Sequence, residues 1–259
     1  MKAWQKFERK CCDYLNATYG NNRILFVSNG GSNSTTSDIK VFIDGQNKFN
    51  IEVKSPSAQS GQFVVLEESG KLVFSSRNKS NNEEAEPFLV YMNANYDKFA
   101  KANTAGIKLE MDVDEYNAWI IRHYLNKNSQ FVITYDGQSF VIFPTKQYGK
   151  YFQTTCKYRI KTSGSNEVPM YMINDVVRLF NGTSHRYESK KLYVKSSTEY
   201  SKGDCLTLGE YNYRISEKGL DGYLYIRRLS NTRNPNVIFS VSLKRGQDAI
   251  DLNAFGKAL

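Results

Sequence analysis

The sequence is poor in histidine, cysteine and proline: of its 259 residues two are His, four Cys and five Pro. His123 and His185 lie in separate segments, which excludes an imidazole-rich zinc centre and any hydrolysis that depends on several positioned histidines. Cys11, Cys12, Cys156 and Cys205 form no C-x-x-C pair, so neither zinc nor a disulfide framework is suggested and a reduced, cytoplasmic protein is expected. No run approaches the ~18 to 20 apolar residues of a membrane helix. The opening MKAWQKFERKCCDYL is charged throughout and does not read as a signal peptide. A Walker A loop and a G-x-S-x-G nucleophile turn are also missing. Chemistry in this chain therefore falls to carboxylates, lysines and amides.

Positive charge is in excess, with a net +9, and it is unevenly spread. Residues 1–145 hold 16 Lys and Arg against 16 Asp and Glu, whereas residues 146–259 hold 19 against 10. A neutral part followed by a basic part suits an enzyme that works on a polyanion, one part for reaction and the other for phosphates. With 40% apolar residues the chain can bury a hydrophobic core.

Hydrophobic period assigns the elements. Residues 3–18 place Trp4, Phe7, Cys11, Tyr14 and Leu15 at helical spacing. Arg23 to Ser28 reads as a short buried strand, and Ser28 to Thr36, without an apolar residue, as a loop at the mouth of a site. Ser55 to Ser60 reads as a strand end and helix start at Pro56, with FVVL and KLVF beyond it forming a hairpin or FVVL continuing the helix. Arg77 to Glu86 is a polar loop, and 88–92 is a strand or a buried helix. Residues 112–126 are an amphipathic helix with Tyr116, Trp119, Ile120, Tyr124 and Leu125 apolar, and QFVITY-DG-QSFVIF is a hairpin ended by Pro144. Past that proline the chain reads as strands with one helix, 169–180. The order helix, strands, helix, strands gives an α/β core over residues 1–145, with a basic, β-rich lobe over 146–259.

The richest stretch is Ser37 to Gln62, SDIKVFIDGQNKFNIEVKSPSAQSGQ. If IKVFI and FNIEVK are strands joined at Asp44-Gly45, Ile51 and Val53 face a core and Glu52 and Lys54 share the other face. Antiparallel pairing then brings Asp38 opposite Glu52. Two carboxylates converging on one point are hard oxygen ligands of the kind Mg²⁺ takes, with waters left to act on a phosphate.

At these residues the chain resembles the PD-(D/E)xK nuclease superfamily, the fold of most type II restriction endonucleases and of Holliday-junction resolvases. Ser37-Asp38 stands where the family has Pro-Asp, and Glu52-Val53-Lys54 is the E-x-K. The resemblance covers about the first 145 residues and implies a restriction-endonuclease-like α/β core, a mixed central β-sheet flanked by helices. It implies that Asp38, Glu52 and the main-chain carbonyl of Val53 hold Mg²⁺, which Mn²⁺ can replace, and that Lys54 orients the attacking water. Glu8, in the first helix, and Gln59, five residues past the lysine, match acidic and amide positions of the family and join the catalytic set.

The implied activity is Mg²⁺-dependent cleavage of double-stranded DNA at a short recognition sequence, by a homodimer, since two antiparallel strands call for two related sites. A junction-resolving or RNA-directed nuclease of the same superfamily, and a nucleic-acid-binding module without catalysis, are the alternatives. In the basic lobe, aromatic and cationic residues are interleaved at 148–161 and 211–228. Lys150, Lys157, Arg159, Arg227 and Arg228 are the candidate DNA contacts there.

Overall fold

A computed structural model describes residues 3–29, 36–75, 78, 82–102, 105–162, 164–230 and 233–259. It divides into two compact units, one of residues 1–159 with 235–259 and one of residues 160–234. The expected boundary at 145/146 is thereby moved. The basic second unit is an insertion, and the chain returns from it to complete the first.

In the first unit α1 (Ala3–Tyr19) leads to β1 (Ile24–Ser28), β2 (Ile39–Ile43), β3 (Gln46–Val53), β4 (Ser57–Glu68) and β5 (Lys71–Phe74). There follow α2 (Glu86–Ala94), α3 (Tyr96–Ala100), β6 (Ile107–Lys108), α4 (Val113–Leu125), β7 (Ser129–Tyr135), β8 (Phe140–Pro144), α5 (Tyr148–Tyr151) and β9 (Phe152–Thr162). One mixed sheet has the order β1-β2-β3-β7-β8, with β3 and β7 parallel and the other neighbours antiparallel.

Strand parity builds the core of this sheet. Ile39, Val41, Phe49, Ile51, Val53, Phe131, Ile133 and Ile142 lie in one apolar cluster with Cys11, Cys12 and Leu15 of α1. The alternate residues of β3, Asn50 and Glu52, therefore meet the other side, where α4 ends: Asn50 donates to the Lys127 carbonyl at 2.8 Å. Asp44 and Gly45 both have positive φ, 49° and 76°, the two-residue turn that Asp-Gly favours.

A second sheet has the order β5-β4-β16-β9-β6, β16 (Arg233–Leu243) being the strand that returns from the second unit. Trp119 of α4 packs here, 4.5 Å from the ring of Phe239 and 5.5 Å from that of Phe63. A Cβ on Gly61 would lie 2.5 Å from Trp119 Cζ3, so the strand passes the indole only as glycine. Last comes α7 (Ala249–Ala258), whose Phe255 joins the cluster of the first sheet beside Phe26 and Phe131.

The second unit contains β10 (Ser165–Asn166), α6 (Ile173–Leu179), β11 (Gly182–Glu188), β12 (Lys191–Ser196), β13 (Cys205–Leu208), β14 (Tyr211–Lys218) and β15 (Tyr223–Leu229). Its sheet has the order β11-β12-β15-β14-β13, with β10 added to β15. One face is apolar: Leu192, Val194, Tyr213, Ile215, Leu224 and Ile226 cluster with Val176 and Phe180 at α6.

Several sequence expectations are corrected. Residues 57–60 open β4 and no helix starts there, because the alternating chain after Pro56 extends the sheet ladder to β16. Strand β1 is an edge with only Phe26 buried and Leu25 54% exposed. Of the two readings of residues 88–92 the buried helix holds, within α2, and the helix expected over 169–180 is found at 173–179 after a 3₁₀ turn. Asp136-Gly137 opens a four-residue loop, its first carboxylate accepting the amides of Gln138 and Ser139 at 2.8 and 2.7 Å. Of the expected loop over 28–36, residues 30–35 lie outside the described residues. Among the described residues no helix is long and apolar enough to cross a membrane.

Candidate active site

The register that pairs Ile39 with Ile51 places Asp38 across from Glu52. Asp38 Oδ2 accepts the backbone N–H of Val53 at 2.8 Å, so its carboxylate is tied to the residue between Glu52 and Lys54. Glu52 is 4% exposed. Its Oε1 pairs with Lys54 Nζ at 3.2 Å and its Oε2 with Lys127 Nζ at 2.9 Å.

The electrostatics separate the two carboxylates. Burial opposes the charged form of Glu52, and the two lysine ammonium groups outweigh it, holding its carboxyl below the usual range. Among the described residues Asp38 has no such pair: burial, with Glu52 beside it, raises its pKa to about 7 against the pull of Lys54 and the Val53 amide. Lys54 is also buried, yet Glu52 and Asp38 raise its pKa, so it stays an ammonium. Glu8 feels the same site: burial raises its carboxyl, Lys54 lowers it and Glu52 raises it. The first helix thus brings a third carboxylate within electrostatic reach, although no direct contact between Glu8 and the pair is found among the described residues.

A polar wall stands behind the lysines. The ring of Tyr124 lies 5.4 Å from Lys54 Nζ and 4.9 Å from Lys127 Nζ. Ser60 Oγ bonds the hydroxyls of both Tyr124 and Tyr148, and the Tyr124 hydroxyl donates to the Ser60 carbonyl at 2.7 Å. These groups are fully satisfied and buried, so the ring cannot swing away from the ammonium groups. His123 stacks on Trp119 at 5.0 Å and is held neutral, its pKa lowered to about 4 by burial and by Lys127.

Gln59 is not part of this constellation. It is exposed on β4 and its amide bonds Gln62 at 2.9 Å; strand alternation turns its neighbour Ser60, instead, toward the tyrosines. Lys127, Tyr124 and Ser60 were not legible as site residues. Lys127 sits in a polar turn after α4, and only the parallel pairing of β3 with β7, 75 residues apart in sequence at Glu52 and Lys127, brings it to the carboxylate.

The donor set fits a hard cation. Asp38 and Glu52 offer oxygens alone, and among the described residues the half-buried Asp38 carboxylate has no cationic hydrogen-bond partner, a charge that a divalent ion would compensate. Among the described residues no group of three or more His, Cys, Asp and Glu side chains converges as a metal cage. Mg²⁺ suits such a site, because it keeps several waters and needs only one or two carboxylates.

A solved structure of HhaI endonuclease in complex with DNA is similar to the chain, with a TM-score of 0.79 and 34% sequence identity over 99% of each chain. The chain belongs to the HhaI endonuclease family. The likeness to HhaI endonuclease takes in the inserted second unit as well as the carboxylate-bearing first. No family model and no curated protein matches the chain.

The candidate DNA contacts fare unequally. Lys150 is committed to the fold, pairing with Asp248 at 3.1 Å and Asp251 at 2.8 Å at the start of α7, and is withdrawn from the set. Lys157 is exposed on β9, opposite Lys108 of β6, and Arg159 is half-buried on the same strand. Arg227 and Arg228, adjacent on β15, point to opposite faces of the sheet. Arg228 lies over the ring of Tyr211 at 4.4 Å and is paired in register with buried Tyr213. Arg227 is directly opposite Arg214, on the polar face that also carries Tyr193 and Tyr225, 5.4 Å apart.

Proposed function

We propose that this chain is a Mg²⁺-dependent endodeoxyribonuclease of the PD-(D/E)xK type, cutting double-stranded DNA at a short sequence as a type II restriction enzyme does. The observation that carries the reading is the bond from the Val53 amide to Asp38: it locks the Asp to the E-x-K strand with Glu52 and Lys54 on either side. HhaI endonuclease, solved with DNA, is the relative that brings a duplex into the proposal.

Asp38, Glu52 and the Val53 carbonyl would hold the ion, with Mn²⁺ able to replace Mg²⁺ and Ca²⁺ able to bind without supporting cleavage. Bound there, the ion supplies charge neutralisation at the scissile phosphate and acidifies a water. Lys54 keeps its proton, so its part is to orient that water and to face the developing negative charge. Tyr124 keeps Lys54 extended toward the carboxylates, and Glu8 adds negative potential from α1.

On the second unit, Arg214, Arg227 and the exposed Lys202 would meet phosphates. Like charges directly opposite on a sheet destabilise it, and a polyanion across Arg214 and Arg227 removes that repulsion.

The decisive experiment is incubation with supercoiled plasmid and Mg²⁺, followed by sequencing of the ends. Discrete ends at one short sequence support the reading, and nicked circles preceding linear DNA separate a single site acting strand by strand from a homodimer cutting both together. Equal cleavage of branched DNA or RNA would move the substrate to the corresponding nuclease class. One feature favours a second reading, a binding module: both oxygens of Glu52 are engaged by lysines. Intact plasmid under all divalent ions, with DNA still bound, would establish that reading instead.

A further inference from the structure

Lys54 is the lysine that the E-x-K motif accounts for, and Lys127 lies outside it. Lys127 Nζ is nevertheless the closer of the two to Glu52, 2.9 Å against 3.2 Å, and its side chain is the more buried, 8% exposed against 15%. It is held there from three directions. Its ammonium lies over the Tyr124 ring at 4.9 Å, its carbonyl accepts the Asn50 amide at 2.8 Å, and the Asn128 carbonyl beside it accepts the Asn50 N–H at 2.8 Å. Asn128 takes a positive φ of 55° to make this turn.

We propose that Lys127 is a positioning residue of the site, holding Glu52 by its far oxygen so that Oε1 is presented to the cation and Lys54 is released to the water and phosphate. The inference rests on the nuclease reading. A lone lysine between the two carboxylates would be drawn to Glu52, because a buried carboxylate without a partner is strongly disfavoured. A second, more deeply set ammonium satisfies that carboxylate and frees the first. The Tyr124 ring is shared by both, 5.4 Å from Lys54 Nζ and 4.9 Å from Lys127 Nζ, so the two ammonium groups reach Glu52 from one side chain's surface.

The test uses the full chain with Lys127→Met, Lys127→Gln and Lys127→Arg. Three quantities are measured: melting temperature, Ca²⁺ affinity by competition with Tb³⁺ luminescence, and the single-turnover rate of plasmid cleavage with Mg²⁺. The expected result for the Met and Gln variants is a rate lower by about 10- to 100-fold, the range for residues that orient metal ligands. Their Ca²⁺ affinity should be no weaker than that of the parent, because a positive charge has been removed, and Arg should restore most of the rate. A merely structural lysine would lower affinity and rate together, without rescue by Arg. An unchanged rate in either folded variant overturns the proposal, as does weakened Ca²⁺ binding. Unfolding of both Met and Gln variants would assign Lys127 to the fold and overturn it equally. A parent protein that binds Ca²⁺ but cuts no nucleic acid would sink the nuclease reading and this inference with it, whereas a cleaving parent whose folded Met and Gln variants cut at its rate would sink the role of Lys127 alone.

Discussion

Asp38 and Val53 are joined by a 2.8 Å hydrogen bond from main chain to carboxylate, and this bond separates the two duties of Asp38. One oxygen anchors the strand pair, and the proposed metal role falls to the other. Asp38→Asn keeps an acceptor for the Val53 amide while losing the charge. It should fold and bind DNA, yet cleave at least ~100-fold more slowly, since one well-placed charged group at a reacting centre is worth ~3 kcal/mol or more. Cleavage at the parental rate by the folded variant would remove Asp38 from the mechanism.

Asp38 also sets a pH dependence. Its folded pKa, about 7, lies above the unfolded carboxylate value of 3.8. The folded state therefore holds the proton more tightly, and the stability this contributes is complete below about pH 4 and is lost as pH rises through 7. In chelator the melting temperature should fall across that window; Ca²⁺ should reverse the fall near pH 7, and Asp38→Asn should flatten it. Melting curves at half-unit pH steps, with and without Ca²⁺, check all three.

On the second unit, Arg214 and Arg227 repel each other across the ladder. Arg214→Ala should leave the free protein as stable or more so, by a few tenths of a kcal/mol up to ~1. The same change should weaken DNA binding and lower the salt slope by about 1 if it removes one phosphate contact. Arg228→Ala, on the opposite face at Tyr211, should leave the slope alone. Titrations at several salt concentrations distinguish the two, and equal slopes for both variants would rule out the polar face as the contact.

Tyr124 can be dissected by atoms. Tyr124→Phe keeps the ring under both lysines and takes its hydroxyl donor from the Ser60 carbonyl, so it should cost ~1 to 3 kcal/mol of stability with cleavage within a few-fold of the parent. Tyr124→Leu removes the ring and should reduce cleavage by a further tenfold or so, since the cation–π contacts are worth ~1 to 2 kcal/mol when desolvated. Denaturant melts and single-turnover rates on the pair separate the two effects.

Local signals carried the sequence reading where the relevant residues are near one another in the chain. Asp38, the Asp44-Gly45 turn and Glu52 lie within one hairpin, so parity and turn chemistry sufficed to bring the carboxylates together. Lys127 reaches Glu52 through the parallel pairing of β3 with β7, which leaves no short-range mark. Gln59 failed for the opposite reason: a helix assigned after Pro56 turned it toward the site, whereas the extended chain turns Ser60 there. The boundary at Pro144 failed because the first unit runs on into β9 and resumes with β16, whose pairing with β4 spans most of the chain. Helix α7 was missed altogether, although Asp248 caps it by accepting the Ile250 amide at 2.9 Å.

That late return has a consequence for synthesis. Strand β16 and Phe255 of α7 belong to the first unit, so a nascent chain carries Asp38, Glu52 and both lysines long before the sheet and core that support them can close. The inserted unit, continuous from 160 to 234, has all its strands available earlier. Vectorial emergence thus delays closure of the carboxylate-bearing unit until after the strands of the inserted basic unit are all available.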